Sequence, residues 1–241
     1  MLRMIGFDGD DTLWHSEGYY RAAHDEFERT LGRYVDLQDA RVHERLLATE
    51  RRNIKLFGYG AKGMTLSLLE TAIELSGQRI SAVDLQHLLD VGKRVLAHPV
   101  ELLPGIADAV AGLAEEFPLA LVTKGDLFHQ EAKVAACGLA DTFHRIEIVS
   151  EKDAGTYARL CEEFAVAPCE FAMVGNSLRS DIAPVVRLGG WGVYMPYAMT
   201  WAHEQDSEFE AAHERVEQVA AAGAIPAAVA RLQAKAAGAS G

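Results

Sequence analysis

Asp8 and Asp10 stand one residue apart, directly after an apolar run, so a single loop can point both carboxylates into one pocket. A hard cation fits such a pair. Magnesium prefers oxygen ligands in octahedral geometry and commonly takes one or two carboxylates together with substrate phosphate and water. A carboxylate can also attack phosphorus, giving an aspartyl phosphate that water later hydrolyses. Taken alone, Asp8-Gly9-Asp10-Asp11 reads equally well as a solvated acidic turn, so any chemistry depends on what else the chain brings to it.

Four further places offer suitable groups. Thr123 closes an apolar run with a hydroxyl donor for a phosphoryl oxygen, although a threonine there also serves as a local backbone partner. Lys152 supplies a compact positive charge of the kind that stabilises phosphoryl oxygens, and Lys124, beside Thr123, is its rival. Gly175-Asn176-Ser177 follows another apolar run, with Asp181 six residues after Gly175. Asp181 can bring a second acidic ligand to a metal; alternatively Ser180-Asp181 starts a helix as its cap.

The elements that would position these residues follow from periodicity. Residues 2–7 read as a buried strand, and residues 14–98 carry apolar residues at helical spacing with no convincing strand. Beyond Pro99 the pattern alternates. Helices are predicted near 105–116, 128–137, 154–164 and 181–188, and strands near 118–123, 145–149, 171–174 and 191–195. Short strands alternating with helices predict a parallel sheet covered on both faces, hence an α/β, three-layer core. The block 15–98 then becomes an all-α insertion, and residues 1–14 and 99–241 a discontinuous core. From about residue 208 the alanine-rich tail is expected to be helical, with 236–241 fraying. Ligands of open parallel sheets bind beyond the carboxyl ends of the strands, where each candidate residue falls.

Composition narrows the function classes. The 241 residues, 49% apolar and 24% charged, suit an ordinary globular protein. No apolar run reaches the roughly 20 residues a bilayer requires. The start, Met1-Leu2-Arg3-Met4-Ile5, runs directly into the polar motif and leaves no room for a signal peptide, so a cytoplasmic location is expected. Cys137, Cys161 and Cys169 are odd in number and lack a Cys-x-x-Cys spacing, which suggests reduced thiols. A formal net charge of −12 would repel a nucleic-acid backbone, and neither nucleic acid nor membrane is expected as a partner. Oligomeric state is not legible.

Together the motifs resemble those of the haloacid dehalogenase-like (HAD) superfamily. The first appears as Ile5-Gly6-Phe7-Asp8-Gly9-Asp10-Asp11-Thr12-Leu13, the second as Leu121-Val122-Thr123, the third as Lys152, and the fourth as Val174-Gly175-Asn176-Ser177 with Asp181. The resemblance covers about residues 1–200. It implies a Rossmann-like core with a helical cap after the first motif, and a magnesium-dependent phosphate monoester hydrolase acting on a small phosphorylated metabolite. Asp8 would be the nucleophile and Asp10 the acid and base. Thr123, Lys152 and the rival Lys124 would meet the phosphoryl group. Asp8, the backbone carbonyl of Asp10, and Asp181 would hold Mg2+, with Asn176 in the same motif.

Three departures stand out. Asp11 occupies a position where many members have glycine, Asn176 one that is often aspartate, and Lys152 follows Val149-Ser150-Glu151 more closely than in many relatives. Lys152 is preferred over Lys124 because the 23 positions separating it from Gly175 resemble the family's spacing. Competing readings are a 2-haloacid dehalogenase, disfavoured by Asp10, a phosphomutase, and a catalytically weak regulatory binding protein, which Asn176 favours.

Overall fold

The computed structural model describes residues 1–38, 40–199 and 209–238. Its chain divides into two compact units, one of Met1–Glu17, Val100–Lys124 and Glu131–Gly241, the other of Gly18–Pro99 and Gly125–Gln130.

The first unit is built on six parallel strands: β1 (Met4–Phe7), β2 (Leu119–Lys124), β3 (Arg145–Val149), β4 (Phe171–Gly175), β5 (Trp191–Tyr194) and β6 (Val216–Gln218), in the order β3-β2-β1-β4-β5-β6. Strands β1 and β4 are buried along their whole length, so they read as apolar runs rather than as alternating patterns. Alternate side chains enter different layers. Ile5, Phe7, Leu119, Leu121, Ala172 and Val174 join a cluster with residues of α5 (Ile106–Ala114) and α9 (Ile225–Gly238), while Met4, Ala120, Val122, Phe171 and Met173 join one with α7 (Ala154–Glu163) and α8 (Ala183–Arg187). Gly6 makes room in that second layer, because a Cβ there would lie 2.6 Å from the Phe171 ring and 2.8 Å from the Met173 sulfur.

Strand order reverses at β1. From it the chain proceeds outward through β2 and β3 on one side and through β4, β5 and β6 on the other, which opens a crevice at the carboxyl ends of β1 and β4. The Asp8 amide extends this pairing by donating to the Val174 carbonyl at 2.9 Å.

The second unit is helical, with α1 (Glu17–Leu31) entering it, then α2 (Val42–Phe57), α3 (Ala61–Leu75) and α4 (Ala82–Leu96). Phe27, Leu31, Leu46, Leu68, Leu88 and Val91 form its core. Ser81 caps α4 by accepting the Asp84 N–H at 3.0 Å. Thr65 of α3 approaches Gly92 of α4 so closely that a Cβ would sit 1.9 Å from its hydroxyl. Segment 125–130 also groups with this unit, a boundary that periodicity does not reveal.

Two elements differ from the sequence expectation. The tail is not wholly helical: in its described part β6 precedes α9, since Val216 is one buried position in a very short edge strand and leaves little periodicity to read. The helix expected at 181–188 is a π-helical turn, Leu178–Ile182, followed by α8. Ser177, rather than Ser180 or Asp181, caps it, accepting the Ser180 N–H at 3.0 Å. Pro184 explains the wider turn. It has no N–H to offer the Ser180 carbonyl, which instead accepts the Tyr157 hydroxyl at 3.1 Å. All three cysteines are free thiols. Among the described residues no helix is long and apolar enough to cross a membrane.

Candidate functional site

The loop after β1 winds tightly around one carbonyl. Gly9 O accepts the N–H groups of Thr12, Leu13 and Trp14 at 3.2, 2.8 and 3.3 Å. Asp11 takes a left-handed conformation, with φ 61°, in which glycine is strain-free and aspartate is among the best tolerated alternatives. Its carboxylate does not face solvent: Oδ1 accepts the Ser16 and Glu17 N–H groups at 2.8 and 3.1 Å, where α1 begins. Burial pushes the Asp11 carboxyl up to about 7, against the pull of the Ser16 N–H. The extra negative residue of the motif therefore serves the backbone.

Asp8 lies at the centre of a buried ion cluster. The Lys152 ammonium donates to Asp8 Oδ1 and, at 2.8 Å, to Asp181 Oδ1. Asp181 is fixed at its other oxygen too, where Oδ2 accepts the Ser177 N–H at 2.9 Å. Only glycine fits beneath it. A Cβ on Gly175 would lie 2.3 to 2.5 Å from Asp181 Oδ2, Cγ and Cβ. Thr12 Oγ1 lies 3.1 Å from Asp8 Oδ2 and 3.3 Å from Asn176 Oδ1, and its single proton serves one of them at a time.

Two carboxylates share one lysine in a place closed to water, which shifts the Asp8 carboxyl and the Lys152 ammonium. Burial pushes Asp8 up to about 7; Lys152 opposes this and Asp181 adds to it. Burial alone would lower the Lys152 ammonium, but Asp181 and Asp8 together hold it well above the usual lysine value. The cluster sets two carboxylates against one ammonium and is suited to a further cation once Asp8 is ionised.

Asp10 is held separately. Its Oδ1 accepts the Trp14 indole N–H at 2.6 Å and the Lys133 ammonium at 2.8 Å, and that ammonium also reaches Ser16 Oγ at 3.4 Å. Lys133 belongs to α6 (Leu127–Ala136) and is only 2% exposed. Sequence reading passed over it. A lysine set among Ala132, Val134, Ala135 and Ala136 was the available signal, since an isolated charge on an apolar helix face usually has a buried partner. Trp14, the other donor to Asp10, has a fully buried side chain.

The remaining candidates fall as follows. Thr123 is 1% exposed, and its hydroxyl has no hydrogen-bond partner among the described residues. A Cβ on Gly9 would lie 3.2 Å from that hydroxyl, so the missing side chain of Gly9 keeps the approach to it open. Lys124 donates to Ser180 Oγ at 2.8 Å and faces Glu151 at 3.5 Å, whereas Lys152 is the cation on Asp8.

The donor set suits a hard metal ion. Among the described residues no three His, Cys, Asp or Glu side chains form a cage. Asp8 and Asp181 nevertheless converge on one ammonium, and the neighbouring donors are oxygens, which matches a cation that relies on one or two carboxylates plus water and substrate.

A family model for haloacid dehalogenase-like hydrolases matches residues 2–189. The chain is similar to a haloacid dehalogenase-like family hydrolase from Xanthomonas campestris at 50% identity, covering 98% of this chain and 94% of that one with a TM-score of 0.89. A 2-haloacid dehalogenase from Pseudomonas syringae pv. Tomato shares the fold at 19% identity and TM-score 0.61, covering 96% and 99% of the two chains. So does a protein described as a predicted phosphoglycolate phosphatase from Haemophilus somnus, at 17% identity and TM-score 0.58, covering 94% and 97%. No curated protein matches the sequence.

Proposed function

The chain belongs to the haloacid dehalogenase-like hydrolases, and within that family we propose that it is a magnesium-dependent phosphate monoester hydrolase working through an aspartyl phosphate. One observation carries the reading. Two carboxylates leave the same strand end on different cations, Asp8 on Lys152 and Asp10 on Lys133, so one is available as nucleophile and the other for proton transfer. A dehalogenase on this fold attacks carbon and expels halide, which needs no acid for the leaving group.

In the proposed sequence an Asp8 carboxylate oxygen bonds to phosphorus as the ester P–O bond breaks, and the departing oxygen takes its proton from Asp10. Water then attacks phosphorus, its proton passes to Asp10, and the aspartyl P–O bond breaks to release inorganic phosphate and restore Asp8. Lys152 neutralises charge on the phosphoryl oxygens. Thr123 gives its unpartnered hydroxyl to one of them, which ends the cost of burying that group alone. Asp8, the Asp10 backbone carbonyl, Asp181 and the Asn176 side-chain oxygen would hold magnesium, which when bound supplies further neutralisation of phosphoryl charge. With Asn176 contributing no charge, Asp8 and Asp181 are the acidic ligands. A small phosphorylated metabolite in the cytoplasm is the proposed substrate.

The test is phosphate release from a panel of aryl, sugar and nucleoside monophosphates, with magnesium and with chelator, beside chloride release from 2-chloropropionate. Magnesium-dependent phosphate release is expected. A folded protein that is inactive across the panel with magnesium present, or one that liberates chloride without metal, would overturn the proposal.

A further inference from the structure

We propose that Lys133, with the Trp14 indole, is a positioning residue that sets the direction of the Asp10 carboxylate and thereby the proton transfer of the reaction. The proposal rests on Asp10 having the proton-transfer role given above. Both donors end on the same oxygen, Oδ1, at 2.8 and 2.6 Å. A carboxylate with one oxygen held from two directions cannot turn about its Cβ–Cγ bond, so the direction of the second oxygen is set as well.

The placement of Lys133 is specific. Burying an ammonium costs several kcal/mol unless it is paired, and a solvated lysine elsewhere on α6 would avoid that cost. Here the charge is almost fully enclosed, and its contacts, Asp10 and Ser16, both lie in the loop after β1. Trp14 is seated as firmly. Its backbone carbonyl accepts the Asp11 N–H at 2.7 Å, its N–H goes to Gly9 O, and its ring lies under Gly9, where a Cβ would meet it at 2.8 Å. The clamp is therefore built into the nucleophile's own loop from one side and α6 from the other. It is separate from the Lys152 cluster, so removing it should leave the Asp8 ion pair intact.

A positioning role differs from simple charge burial in what it changes. Misaligning the acid harms esters with poor leaving groups, which need a proton, more than those with good ones, which do not. It also slows attack of water on the aspartyl phosphate, so that intermediate accumulates.

Lys133→Met, which keeps chain length without charge, is compared with wild type on aryl phosphates of graded leaving-group basicity. Expected are a loss in kcat/KM that grows with leaving-group basicity and, where water attack on the aspartyl phosphate limits turnover, a fall in kcat of at least tenfold without a rise in KM and a burst of p-nitrophenolate from p-nitrophenyl phosphate. Trp14→Phe should show the same pattern to a smaller degree, and it carries the kinetic test if Lys133→Met does not fold. A loss in kcat/KM independent of the leaving group, or one arising from a rise in KM alone, would overturn the proposal, as would unchanged kcat. The geometric part is read without turnover from the indole N–H resonance of Trp14, assigned through Trp14→Phe. That resonance should move in Lys133→Met, and if it stays in place the clamp does not exist, whatever reaction the protein catalyses. An inactive wild type with a moving resonance would instead place the failure in the phosphatase reading.

Discussion

Replacing Gly175 by alanine adds one methyl group beneath Asp181, and its consequences follow from distances alone. Gly175 lies outside the left-handed region, so alanine can adopt its backbone without strain. On an unconstrained site the change would be neutral or stabilising by about 0.4 to 1 kcal/mol through the unfolded chain. At this site the new Cβ would lie 2.3 Å from Asp181 Oδ2, 2.4 Å from Cγ and 2.5 Å from Cβ. Turning the carboxylate cannot relieve a clash that includes Cβ, so the backbone of the following turn must shift by about 1 Å to reach ordinary contact at 3.4 Å. That shift would stretch both Asp181 bonds, 2.8 Å to Lys152 and 2.9 Å to the Ser177 N–H, beyond hydrogen-bonding range. Overpacking costs about 1 to 3 kcal/mol, and each lost bond to a charged group about 1.5 to 3. Partial relaxation leaves a loss of roughly 3 to 6 kcal/mol, equivalent to a fall in melting temperature of roughly 6 to 24 °C for a chain of this size. Thermal unfolding without metal, followed by circular dichroism, measures it, and phosphate release at saturating magnesium should fall in parallel. A variant melting within 2 °C of wild type with kcat within threefold would show that Asp181 is not confined as described.

Asp8→Asn should abolish turnover while preserving the fold, and a variant retaining wild-type turnover would remove Asp8 as nucleophile. Because burial pushes the Asp8 carboxyl up to about 7, its neutral form is favoured in the metal-free fold, and the stability this contributes is complete below the unfolded value near 4 and lost as pH rises through 7. The uncharged asparagine side chain has no such loss, so the variant should gain melting temperature relative to metal-free wild type at pH 8 but not at pH 4. Asp11→Asn carries the same sign, since its carboxyl is also pushed up to about 7 by burial; asparagine tolerates the positive φ, and an equal melting difference at pH 4 and pH 8 would refute the argument. Thr123→Val removes a hydroxyl that has no partner among the described residues, so the unliganded protein should be unchanged or about 1 kcal/mol more stable. Calorimetry with magnesium should show inorganic phosphate binding at least tenfold more weakly to that variant, and equal affinity would place the phosphoryl group elsewhere.

The α/β class was legible because it depends on local order. Apolar runs of strand length, each closed by a polar residue and separated by helical periodicity, are written in consecutive residues, and so is the position of Asp8, Thr123 and Gly175 at strand ends. Elements with little local pattern were not legible: β6, with three residues and one buried, and the π-helical turn that Pro184 imposes through a carbonyl satisfied by distant Tyr157.

The sequence by itself determined which groups could do chemistry and in which order the chain delivers them. Tertiary structure decided which cation meets which carboxylate. Lys124 and Lys152 both lie near strand ends, but only the second is aimed at Asp8, and Lys133, on an alanine-rich helix, reaches Asp10 across 123 positions. Asp11 likewise became a cap instead of an added site charge. The physical reason is common to all of these. A buried charge must find an opposite charge or a hydrogen-bond donor in three dimensions, and its partner is chosen by strand order and helix packing rather than by distance along the chain.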